Sequence, residues 1–210
     1  MDVLSSAFVE ELVAAIRYWS GGALDTLIYT VGTQVPVGLF SETDSDQWEA
    51  SIATNLIGAA RSTRACIPYL RKSSDGRILL FSGGGAFYPR PNFSAYAASK
   101  AGLVSFGSTL AAELTRSGIS VNCISPGYIP TLIHEPVRAA GLPLPDVNGD
   151  GLNRAVSCIL HMLSENAKGL TGKVVSALFD EWWTITPERV DELNRSSLWT
   201  TMRVNKESLT

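Results

Sequence analysis

The sequence predicts an α/β domain in three layers, a parallel sheet with helices on both faces. Three observations predict it. Short apolar runs of strand length alternate strictly with longer runs whose apolar residues recur at helical spacing. The strand-length runs are continuously apolar rather than alternating, the pattern of strands buried on both sides. A length of 210 residues suits one such domain with a sizeable core.

The elements follow in order. Residues 5–19 place apolar side chains at helical spacing and stop at Gly21 and Gly22. LDTLIYTVG, from Leu24, reads as a short buried strand. A long helix, residues 46–70, opens after the cap-forming Asp44 and Ser45. GRILLFS, entered through Asp75-Gly76 and closed by Gly83, Gly84 and Gly85, is a second strand. Residues 95–117, rich in Ala, Gly and Ser, form a second long helix. ISVNCIS is a third strand, stopped by Pro126-Gly127. Residues 127–150 are a Pro- and Gly-rich loop, LNRAVSCILHMLSE a helix, and GKVVSA a fourth strand. After Ala177 the aromatics concentrate, and Thr186-Pro187 reads as a helix start. The chain thus divides into a domain over residues 1–177 and an aromatic-rich extension, 178–210, packed on it. No internal repeat or low-complexity tract is present.

Composition excludes several classes. With 17 basic and 20 acidic residues and no single-sign run, nothing points to nucleic acid. No apolar run reaches the length of a membrane span, and the N-terminus lacks the basic-then-apolar order of a signal peptide. Cys66, Cys123 and Cys158 are scattered and odd in number; Cys123 and Cys158, in apolar stretches, read as small core residues, no reactive role is expected for any of the three, and a reduced, cytoplasmic chain is the default.

The candidate chemistry lies in FSAYAASKAG, residues 93–102. Tyr96 and Lys100 are four apart, on one helix face, about 6 Å along its axis. An ammonium about 4 Å from a phenol, at an effective dielectric near 20, contributes about 4 kcal/mol. That corresponds to roughly three pKa units, enough to bring the phenol toward neutrality as an acid–base group. The same spacing also suits an ordinary surface pair.

The order of the motifs settles between these. LDTLIYTVG, DQWEASIATNLIG with Trp48 and Asn55, GRILLFS, YAASKAG, VNCISPGYIPT and LTGKVVSA succeed one another in a sequence that resembles the short-chain dehydrogenase/reductase family over residues 2–177. The resemblance implies a Rossmann-like, doubly wound sheet. It implies Tyr96 as proton donor and acceptor, Lys100 holding the nicotinamide ribose, and Asn55 anchoring a water relay. It further implies NAD or NADP contacts at Asp2, Gly32, Lys100, Pro126, Gly127, Ile129 and Thr131. A small-molecule substrate is expected, apolar from the loop over residues 128–150. Homodimers or homotetramers through the two long helices, or pairing with a complete homologue, complete the expectation.

Three departures qualify it. The family serine falls on Gly83, with Ser82 one residue earlier and on the opposite strand face; Ser82 serves only if it shifts. The family's Asn-Asn-Ala-Gly turn stands here as Tyr29-Thr30-Val31-Gly32, and the Tyr29 ring is expected to intrude on the nucleotide. The glycine-rich first βαβ unit has no counterpart, so the sequence reads as N-terminally truncated, with the strand from Leu24 at an open edge. Trp182, Trp183 and Trp199 are candidates to cover that edge. These departures leave two alternatives beside the oxidoreductase: a nucleotide-free isomerase, dehydratase or cyclase using Tyr96 and Lys100, and a non-catalytic partner subunit.

DVNGDG, residues 146–151, imitates a calcium loop but places Ser157 where the final carboxylate belongs, and reads as a polar turn. No metal is expected. His161 reads as a packed residue, and His134 sits in the loop expected over the substrate.

Overall fold

A computed structural model describes residues 2–145 and 150–200. Four strands form one parallel sheet in the order β1-β2-β3-β4, with β1 Thr26–Tyr29, β2 Gly76–Phe81, β3 Ile119–Ser125 and β4 Val174–Ser176. Strand order follows sequence order, so each connection is a crossover carrying helix. The helices are α1 Phe8–Ser20, α2 Ser45–Ile52, α3 Gly58–Leu70, α4 Ser94–Leu114, α5 Glu135–Ala139, α6 Gly151–Met162 and α7 Val190–Arg195.

Side-chain alternation along the strands divides the core in two. Ile78, Leu80, Val121 and Cys123 face α3 and α4, where Cys66, Leu70, Leu103 and Leu110 meet them. Leu79 and Ile124 face the other way, onto Ala155, Cys158 and Met162 of α6. Each such aliphatic side chain stabilises the fold by roughly 1.5–3 kcal/mol relative to exposure. The continuously apolar strands therefore do sit between two helical layers at β2 and β3. At β1 the arrangement differs: Leu27 and Tyr29 pack toward α3, whereas Ile28, on the opposite face, is 41 % exposed.

The long helix expected over residues 46–70 is interrupted. Ala53–Ile57 is wound as a π-turn between α2 and α3, a local widening characteristic of functional positions. The loop after β3 is not wholly irregular, since it includes α5. The expected polar turn and calcium-like stretch at residues 146–149 lie outside the described residues.

The aromatic C-terminal segment corrects one expectation. Trp182 joins Ile185, Val190 and Leu193 in the α6-side core, and the Trp199 carbonyl accepts a hydrogen bond from Val174 N at 2.7 Å. These residues cover the β4 side, at the opposite edge of the sheet from β1. Lys173, 2 % exposed, directs Nζ to the carbonyls of Ser196 and Leu198 at 2.9 and 3.2 Å, pinning the segment there. Trp183 remains half-exposed.

Cys66, Cys123 and Cys158 are free and buried, and burial pushes their thiols up to about 11, about 12 and about 12. They are inert core residues. Among the described residues, no helix is long and apolar enough to cross a membrane, and no acidic, histidine or cysteine cluster could hold a metal.

Candidate active site

Helix α4 begins just after Phe93 and runs beneath the carboxyl ends of β2 and β3, the end of a parallel sheet where ligands bind. Its first turns carry Tyr96 and Lys100, 6 % and 4 % exposed. Small residues throughout α4 let it lie close on the sheet; a Cβ on Gly107 would stand 2.8 Å from Cys123 Sγ.

Lys100 points across β2. Its Nζ donates to the Phe81 carbonyl at 2.7 Å and lies 5.8 Å from the Tyr96 ring centroid. Burial lowers the ammonium from 10.5 to about 8. Tyr96 moves opposite to the direction expected. Burial raises the phenol, while the Arg90 charge and the Gln34 side chain draw it back only in part. The Lys100 ammonium, committed to a carbonyl, is not among its influences. Tyr96 is thus a protonated acid at neutral pH.

Asn55, wholly buried in the π-turn, holds the neighbouring backbone. Its Oδ1 accepts from Thr33 N at 2.8 Å, and its Nδ2 donates to Thr33 O at 2.9 Å and Ser99 Oγ at 2.8 Å. Ser99 Oγ in turn donates to Tyr96 O at 2.8 Å. Gly32 lies on this junction: a Cβ there would stand 3.2 Å from Asn55 Oδ1 and 3.5 Å from Lys100 Nζ. Tyr96, Lys100, Asn55 and Gly32 are therefore brought together from three segments.

Gly83 also belongs to the group. A Cβ on Gly83 would stand 2.2 Å from Tyr96 Oη, so the phenol occupies the space a serine side chain would need. Gly83 is extended, and strand alternation turns Ser82 to the opposite face. Ser82 Oγ is buried without a hydrogen-bond partner.

Tyr29 does not intrude on the cleft. It is 4 % exposed and donates from Oη to Thr54 O at 2.8 Å, packing against Val3 and Gly58. Without the usual asparagine, the phenol itself ties β1 to the π-turn.

The remaining expected positions lie on the N-terminal turn and on the loop after β3. Asp2 is exposed, its carboxylate accepting from Leu4 N in a turn that Arg61 holds through Val3 O and Ser5 O. Pro126, Gly127, Ile129 and Thr131 follow β3. Gly127 has φ +83°, and a Cβ there would lie 2.2 Å from Leu178, so only glycine fits this bend. Ile129 packs toward the α6-side core and Thr131 is exposed. His134 is buried beside the Tyr128 ring at 4.5 Å, and burial lowers its imidazole. His161 contacts Ile185 O at 2.9 Å and is a packed residue.

Two residues that no sequence motif singles out complete the surroundings. Gln34 is 3 % exposed with Oε1 unpartnered, and Arg90 stacks over Phe93 at 4.2 Å and Tyr96 at 5.7 Å. Phe93, Tyr96 and Val137 form an apolar wall with Val37, Leu142 and Leu144. A surface hollow of about 470 Å³ between Val35–Gly38 and Pro136 does not include Tyr96 or Lys100, and the chemistry lies beside it rather than in it.

Comparison with known proteins agrees with this geometry. The family model described as short chain dehydrogenase matches residues 1–141. D-beta-hydroxybutyrate dehydrogenase of Rhizobium meliloti is 28 % identical over 200 residues, 87 % of this chain and 76 % of that protein. Human dehydrogenase/reductase SDR family member 4 is 34 % identical over 58 % of this chain and 44 % of its own length. Oxidoreductase UcpA of Salmonella typhimurium is 34 % identical over 68 % and 54 %. The chain thus spans about half the length of several of its curated relatives. A short chain dehydrogenase structure from Salmonella enterica serovar Typhi superposes with a TM-score of 0.73 at 24 % identity, covering 84 % of this chain and 72 % of that one. A protein from Escherichia coli CFT073, assigned as a short chain dehydrogenase and complexed with NADPH, gives 0.74 at 26 %, with the same coverage. These relatives do not favour the nucleotide-free or non-catalytic alternatives. With Tyr96 and Lys100 set on α4 at the carboxyl edge of a parallel sheet, the chain belongs to the short-chain dehydrogenase/reductase family.

Proposed function

We propose that the protein is an NAD(P)-dependent oxidoreductase that interconverts a carbonyl and an alcohol on a small, largely apolar molecule. One observation carries the reading: a buried, protonated phenol, Tyr96, shares a helix face with a buried amine, Lys100, that Asn55 and Gly32 adjoin. The names of the relatives, a hydroxybutyrate dehydrogenase and an oxidoreductase among them, support the same chemistry.

The residues present fit the nicotinamide end of the cofactor. Gly32 leaves open the space that a Cβ would fill beside Lys100 and Asn55, and Lys100 supplies a donor for ribose hydroxyls. Gly32, Lys100 and Thr131 would hold that end, with Asp2 toward the adenine. When bound, the nicotinamide supplies or accepts the hydride. Tyr96 Oη gives its proton to the carbonyl oxygen in reduction and takes it back in oxidation. Lys100, charged below about pH 8, donates to Phe81 O and would be the donor to a ribose hydroxyl of the bound nucleotide. Asn55 fixes the Thr33 backbone and so the Gly32 turn. No serine orients the substrate oxygen, because Gly83 cannot.

Of the exposed side chains of α4, Ala98, Ala101, Ser105, Thr109 and Ala112 are small, and only Glu113 at its C-terminal end is large, which supports pairing of copies along that helix. Calorimetric titration of NADH and NADPH, separately, into the folded 210-residue chain tests the main reading. Micromolar binding of either supports it, and absence of binding to folded protein overturns it.

A further inference from the structure

Resting on Tyr96 as the proton donor, we propose that Arg90 anchors a carboxylate on the substrate, which makes the substrate class a carboxylate-bearing carbonyl or hydroxy compound with an apolar body. Arg90 stands at the phenol: its guanidinium carbon lies 4.2 Å from the Phe93 ring centroid and 5.7 Å from that of Tyr96. Stacking on two rings occupies the flat face of the guanidinium and leaves its N–H edge free. Among the described residues the ion pairs are Arg77–Asp75, Arg138–Glu135 and Lys168–Glu165, so Arg90 has no carboxylate partner among them. Arg90 is half-buried, and among the described residues its planar fork of donors meets no carboxylate. That arrangement matches a carboxylate held by two parallel hydrogen bonds.

Two independent features point into the same region. Gln34 Oε1, beside the phenol, and His134 Nδ1 are buried without hydrogen-bond partners. Orphaned buried polar atoms are costly and are commonly satisfied by a ligand. Charge agrees as well: Arg90 acts on both Tyr96 and His134, and Arg138, the other cation acting on His134, is already paired with Glu135. A bound carboxylate would be attracted to the Arg90 guanidinium, whereas a neutral ketone would not. The wall of Phe93 and Val137 with Leu142 and Leu144 supplies the apolar remainder of the site.

Binding is best read without turnover. Straight-chain carboxylates of three to eight carbons and their primary amides are titrated calorimetrically into the whole chain, with no nucleotide present. At least one acid is expected to bind tenfold or more tightly than its amide. Arg90→Met abolishes that preference, Arg90→Lys retains part of it, and Arg138→Met, which removes a nearby cation already paired with Glu135, leaves it intact. Arg90→Gln replaces the Met variant if the latter does not fold. Absence of any acid preference, or a preference that survives loss of Arg90, overturns the proposal. Because the readout needs neither nucleotide nor hydride transfer, its failure is separate from failure of the oxidoreductase reading.

Discussion

Tyr96 Oη lies 2.2 Å from the point where a Cβ on Gly83 would sit. The phenol fills the space left by the absent serine side chain, and the two positions are sterically coupled. Gly83→Ser is therefore expected to displace the phenol and lower stability by about 1–3 kcal/mol in urea unfolding. Adding Tyr96→Phe should recover part of this loss, because the nearest ring carbon is 3.1 Å from that Cβ. A double-mutant cycle with strictly additive terms would show that the two residues do not share the space.

Tyr96→Phe alone should leave the unfolding midpoint within error and reduce carbonyl-dependent NAD(P)H oxidation by about 10²–10⁴-fold. The ring and its packing on Arg90 are retained, and only the transferable proton is removed. Undiminished turnover would assign the proton donor elsewhere.

Lys100 sets a pH-dependent cost. Its ammonium is lowered from 10.5 to about 8, so between those values the unfolded chain binds more protons than the folded one. Stability contributed by this site rises with pH through that window, and the burial penalty is full below about pH 8. At about 1.4 kcal/mol per unit the penalty is about 3 kcal/mol. Lys100→Met should thus stabilise the fold at pH 6.5, with the gain vanishing above about pH 10.5, while abolishing turnover. Urea unfolding at several pH values checks the sign; a variant less stable at pH 6.5 than at pH 10, relative to wild type, contradicts it.

Asn55 holds three partners across two segments. Asn55→Ala leaves the Thr33 amide and carbonyl unsatisfied and takes one donor from Ser99 Oγ, which keeps its bond to Tyr96 O, at a cost of about 2–4 kcal/mol. Asn55→Asp keeps the acceptor for Thr33 N and should fall between. A melting temperature of Asn55→Ala equal to wild type would mean that water replaces all three bonds.

Breaking the C-terminal clasp has a local signature. Lys173→Met removes the donor to Ser196 O and Leu198 O, and amide exchange should accelerate in residues 196–200 before it does in β2 or β3. Uniform acceleration through the sheet would instead make the segment integral to global stability.

Much of the site was legible in short-range pattern. The i, i+4 spacing of Tyr96 and Lys100 sets both on one helix face by helix geometry alone, and strand alternation alone separates Gly83 from Ser82. The order of apolar runs marked β1 to β4, and at β2 and β3 the continuous apolar run reflects burial on both faces. The protonation states were not legible. Lys100 is drawn to Phe81 O, and the charge nearest the phenol comes from Arg90, six residues before it. Nor was the covering of β4 by Trp199, or the turn of Tyr29 toward Thr54 rather than the cleft. These depend on which groups lose water together and which distant carbonyls they meet. Sequence alone carried the family, the order of the elements and the placing of Tyr96 and Lys100 on one helix face, which rest on motif order and periodicity along the chain. Only the tertiary structure decided the electrostatics of the pair and the partners of Gln34 and Asn55, because burial and hydrogen bonding there join segments remote in sequence, Thr33 to Asn55, Asn55 to Ser99 and Gln34 to Tyr96.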